Sequence, residues 1–137
     1  MIDLDSANHT NRELELMLEG KKPLAIFCDE ITSLPHEEII PEERFRPHVE
    51  AGLFVRGEKT FNGGFHPGLG RDAQIKYVLF ALVAEAWRIP AFILVHGVSM
   101  SSPRHTEEVE RIESALLGYT EEEIDGWCRH LFGGNAT

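Results

Sequence analysis

The chain has 137 residues, 42% of them apolar and 26% charged, which fits a single soluble globular domain and is too mixed for a disordered or fibrous protein. Acids outnumber bases by 23 to 13, a formal net charge of −10 that repels nucleic acid and anionic membrane. The longest apolar region, Tyr77 to Val98, is interrupted by Glu85, Arg88 and Pro90 and reads as core, not as a membrane span.

Cys28 and Cys128 stand far apart and form no CxxC pair. Met1 to Thr10 lacks the basic and apolar blocks of a secretory signal. Both features lead us to expect free thiols and a cytoplasmic location.

Thr10 with Glu13 is a capping-box pattern, followed by Leu14, Met17 and Leu18 on one helical face and by Gly20 as a stop. Leu24 to Cys28 is a short apolar run between breakers, expected to be a buried strand. Ser33-Leu34-Pro35-His36 marks a turn or a brief helix start. Pro41 with Glu42 and Glu43 opens a helix that buries Phe45 and Val49 and ends at Gly52. Leu53 to Phe61 alternates weakly, as an edge strand does.

Asn62 to Gly70, with four glycines and Pro67, reads as a loop, and Asp72 as the cap of a helix after it. Ile75, Val78, Leu79, Leu82, Val83 and Ala86 trace that helix's stripe as far as Trp87. Ala91 to Val95 suits a strand by propensity, but Pro90 suits a first helical position, and the helix is preferred. Ser102-Pro103 opens the next helix, with Val109, Ile112, Ala115 and Leu116 inward. Gly118 closes it, and a Thr120–Glu123 capping box starts another that carries Ile124, Trp127 and Leu131. Leu117, Tyr119 and Trp127 are expected to anchor this terminal pair, and residues 133–137 form a frayed tail. The expected fold is one compact, helix-rich α+β domain over 1–137, with two or three short strands and a C-terminal helical hairpin.

Chemistry is thinly marked. Cys28, Asp29 and Glu30 fall at the carboxyl end of the first expected strand, where functional groups often project. Cys28 as a nucleophile would need a histidine brought close by folding, and the alternative is a buried filler. His36 with Glu37, His48 with Glu50 and His105 with Glu108 put metal-ligating types together, yet no HxxxH or HExxH spacing occurs, so no metal and no cofactor is expected. The loop from Gly63 to Gly70 is neither a P-loop nor a dinucleotide fingerprint; His66 and Arg71 are its best-placed ligand contacts. Between His105 and Trp127, Glu107, Glu108, Glu110, Glu113, Glu121, Glu122, Glu123 and Asp125 face Arg111 as their one base.

These residues lead us to expect a non-catalytic acidic interaction or regulatory protein. It would offer Glu107, Glu110 and Glu121 to a basic protein partner, with no direct nucleic-acid or membrane contact. The alternative is a small hydrolase or transferase with a pocket between Cys28-Asp29-Glu30 and the His66–Arg71 loop.

Overall fold

The computed structural model describes His9 and residues 11–31, 39–102 and 104–133. In chain order the elements are α1 (Glu13–Leu18), β1 (Leu24–Ile31), α2 (Glu42–Glu50), β2 (Phe54–His66) and β3 (Arg71–Leu82). A short 3-10 turn (Val83–Glu85) follows, then α3 (Arg88–Ser101), α4 (Glu107–Leu116) and α5 (Glu121–Phe132). The strands form an antiparallel sheet in the order β1-β3-β2. This is the expected α+β class with its C-terminal helical hairpin, although β2 and β3 are long strands rather than short ones. Among the described residues, no helix is long and apolar enough to cross a membrane.

The sheet lies between two helical layers. On one face Ala25, Val78, Phe80 and Phe54 pack with Met17 of α1 and Phe45 of α2. The Phe45 and Phe80 rings stack with centroids 4.4 Å apart. On the other face Leu24, Leu79 and Ala81 pack with Ile89 and Phe92 of α3 and with Leu116, Ile124 and Cys128 of the hairpin. Each large side chain removed from water in this way contributes roughly 1.5–3 kcal/mol before entropy is charged against it.

The double cover explains the main departure from expectation. Residues 72–87 do not form a helix. Arg71–Leu82 is the central strand, and Val78-Leu79-Phe80-Ala81 is buried on both faces. A strand covered twice shows a continuous apolar run instead of alternation, and such a run also fits a helical stripe. The expected loop at Asn62–Gly70 is correspondingly mostly strand. β2 continues to His66 past an irregularity between Asn62 and Phe65, and the chain turns only over residues 67–70.

Gly57 lets α3 lie close on the sheet: a Cβ there would stand 2.5 Å from Cγ2 of Ile89. Helix is the observed state for 91–98. Ser102 closes α3 instead of opening α4, with its hydroxyl donating to the Val98 carbonyl at 2.9 Å. The cap of α4 is Thr106, whose hydroxyl accepts from Val109 N–H. The buried face of α4 is also rotated from the expected one. Glu113, Ser114 and Leu116 are inward, while Ile112 and Ala115 are exposed. The rotation follows from Glu113 being buried as a paired acid, which an apolar pattern does not anticipate.

The turn into α5 is as read. Gly118 has φ +95°, and Thr120 and Glu123 complete a reciprocal capping box. Leu117 and Tyr119 are buried, Trp127 is half-buried, and Leu131 is exposed. The first helix has Arg12 at its cap position, with no side-chain cap. Thr10, the Ser33–His36 turn, His36 with Glu37, Pro103 and the tail beyond Gly133 lie outside the described residues.

Candidate functional site

The register of β1 on β3 places Cys28 opposite Tyr77, on the sheet face that α3 covers. The Tyr77 hydroxyl is thus carried on the strand beside the Cys28 thiol. It also stands 2.8 Å from Nε2 of His96 on α3, and His96 Nδ1 is 3.0 Å from Oε2 of Glu113 on α4. A carboxylate on Nδ1 holds the ring proton on that nitrogen, so Nε2 accepts from the phenol. The imidazole is boxed by Phe92, stacked at 5.4 Å, and by the edge of Phe61 at 5.4 Å. Three elements, β3, α3 and α4, thus contribute to one polar chain that starts at a buried carboxylate and ends at a phenol beside the exposed Cys28.

The thiol end opens on a cleft of about 340 Å³ lined by Cys28, Asp29, Glu30, Ile39, His66, Ala73 and Ile75. Cys28, Asp29, Glu30 and His66 were singled out from sequence, and folding brings them to this one place. Arg71 pairs with His66 at the hairpin end but does not line the cleft. Cys28 is exposed on its outer side, yet partial burial, with Asp29 beside it, pushes the thiol up from its ordinary value. A thiol kept protonated is a weak nucleophile. Burial also pushes Tyr77 up to about 12, so the phenol keeps its proton and serves as a donor. Among the described residues, no three His, Cys, Asp or Glu side chains are grouped to hold a metal ion.

The acids of the hairpin are partly absorbed by the fold. Arg111 ties the two helices together, with Nε 2.9 Å from Glu107 and Nη1 2.6 Å from Asp125. Glu110 accepts from Trp127 Nε1 at 2.9 Å and faces His105 at 3.4 Å. Glu113 is the buried end of the polar chain, and Glu123 serves the cap. Glu108, Glu121 and Glu122 are the exposed members. Of the expected docking residues, then, Glu121 is exposed, while Glu107 and Glu110 also brace the hairpin.

Sequence reasoning missed Tyr77 and His96. Tyr77 sits in a run whose spacing also fits a helix, and His96 stands alone in sequence. The pairing of Cys28 with Tyr77 becomes visible only once the β1–β3 register is known. No protein-family model matches the chain, and comparison with curated proteins and with solved structures gives no significant match.

Proposed function

We propose that this protein acts by binding, and that the acidic outer face of the α4–α5 hairpin receives a basic protein. The observation that carries this reading is the Glu107–Arg111–Asp125 brace. It cross-links the helices, so Glu108, Glu121 and Glu122 are presented on a fixed frame and little flexibility is lost on docking. The rest of the net charge of −10 adds a long-range field that steers basic partners. The test is affinity capture at low and high salt with the natural chain and with a Glu108→Gln, Glu121→Gln, Glu122→Gln variant. A captured basic protein should associate faster at low salt and more slowly with the variant. A partner indifferent to both changes would overturn the reading.

A second reading, a small hydrolase or transferase, is favoured by one observation: Cys28, Asp29, Glu30 and His66 share a cleft. The raised thiol weighs against Cys28 as the nucleophile in the resting protein. Irreversible loss of a measured activity on alkylating Cys28, with the fold intact, would reverse the order of the two readings.

A further inference from the structure

The strand order leaves β2 at an edge of the sheet. Such an edge is a template for another strand. Exposed apolar side chains lie at its start and beside its middle, on the face that α3 covers. At one end Leu53 is 51% exposed, and its carbonyl accepts from Val83 N–H at 3.1 Å, which extends the ladder by one residue. Near the middle of the strand Phe61 and Lys59 of β2, with Leu94 and Val98 of α3, line a groove of about 490 Å³, Leu94 being 70% exposed. From Ile89 to Ser101, α3 carries no acid or basic Lys/Arg residue, although the whole chain has a net charge of −10.

We propose that β2 pairs antiparallel with β2 of a second copy of this chain, about a two-fold axis through Gly57. The strand is self-complementary about that point. Residues equidistant from Gly57 meet, so Arg56 of each copy lies opposite Glu58 of the other, on the face that carries α2. Arg56 already holds Glu42 at 2.6 Å and Glu58 at 2.8 Å within one chain, so the pairing extends an existing charge ladder. On the opposite face the same axis sets Leu53 of each copy against Phe61 of the other. The exposed apolar start of one strand then covers the groove beside the middle of the other, twice over, as an isologous interface requires. The union is a continuous six-stranded sheet, and its seam avoids the acidic hairpin.

This proposal is independent of the binding reading above and predicts the opposite response to salt. Two copies each of net charge −10 repel, and screening relieves the repulsion. Sedimentation equilibrium of the full chain should therefore show a dimer that tightens as salt rises. Leu94→Asp, at an exposed position, should weaken it by about tenfold or more with an unchanged circular dichroism spectrum. The register is tested by charge reversal. Arg56→Glu alone and Glu58→Arg alone should each stay monomeric, and mixing the two should restore a heterodimer. A chain that stays monomeric at every concentration and salt level overturns the proposal. So does a dimer indifferent to Leu94→Asp, charge variants that show no rescue on mixing, or a groove filled by a different protein.

Discussion

Nδ1 of His96 lies 3.0 Å from Oε2 of Glu113, and this contact joins α3 to α4 at the point where the imidazole also meets Tyr77. Both side chains are largely removed from water. Removing the carboxylate strands a donor inside the protein. Glu113→Ala should cost about 1–3 kcal/mol, while Glu113→Gln, which keeps an acceptor, should cost less. Urea midpoints for the two variants check this. Equal midpoints for Ala, Gln and the natural chain would mean that the contact contributes nothing to the seam.

Gly118 tolerates no side chain. Its φ is +95°, and a Cβ would stand 2.4 Å from Cδ of Pro23. Gly118→Ala combines a strained backbone with a clash against a rigid ring. We expect a loss of at least about 1–3 kcal/mol and a lower thermal midpoint. A variant as stable as the natural chain would refute the close approach of the hairpin turn to β1.

Lys22 gives the folded protein a pH dependence of definite sign. It is 2% exposed, with Nζ donating to the Leu117 carbonyl at 2.8 Å and lying 2.9 Å from His9 Nδ1. Burial, opposed by Glu13, lowers its pKa from 10.5 to about 7. Above that value the folded chain has released a proton that the unfolded chain keeps, so stability rises with pH through the range from about 7 to about 9. Beyond it, the thiols of buried Cys128 and of exposed Cys28, both pushed up by desolvation, act in the opposite sense. Urea midpoints at about pH 6.5 and about pH 8.5 should show the rise in the natural chain and not in Lys22→Met. A natural chain that loses stability over that interval would contradict the assignment.

Trp127 joins α5 to α4 through its Nε1–H bond to Glu110, but its ring is only half-buried. A fully enclosed tryptophan would lose about 3–5 kcal/mol on truncation to Ala. Here about 1–3 kcal/mol is expected from partial apolar burial and one hydrogen bond. Thermal melts of Trp127→Ala and Trp127→Phe separate the two parts. No shift in either would remove Trp127 from the anchoring set and leave Leu117 and Tyr119 to hold the hairpin.

Local chemistry made some elements legible and tertiary cover hid others. Gly118 with Thr120 and Glu123 marks a turn through backbone preferences that need no neighbours, and the turn is where those residues put it. Leu24 to Cys28 likewise reads correctly as strand, as does the edge character of β2. Tyr77 to Leu82 misleads because α1 and α2 cover one face and the later helices the other, so no polar alternation survives. Glu113 misleads because an acid ordinarily faces water, whereas this one is buried against His96. Within the candidate site, Cys28, Asp29 and Glu30 could be named from their place at a strand end and His66 from its glycine-rich surroundings. Tyr77 and His96 depend on register and helix placement, which one-dimensional spacing does not encode.

The placement of β3 between its neighbours has a consequence for how the chain comes together during synthesis. β1 has no strand partner until Arg71–Leu82 has been made, because Leu24 pairs with Ala81 and Ile31 with Gln74. β2 and β3 are adjacent in sequence and joined by a short turn, so their hairpin closes over a small loop. The pairing of β1 closes a much longer one and is expected to be the slower event. Until then the apolar run from Leu24 to Phe27 waits as an unpaired strand on a nascent chain, the form most open to misassociation. The order of closure is hairpin first and β1 last, and it can be read from amide-protection pulses during refolding.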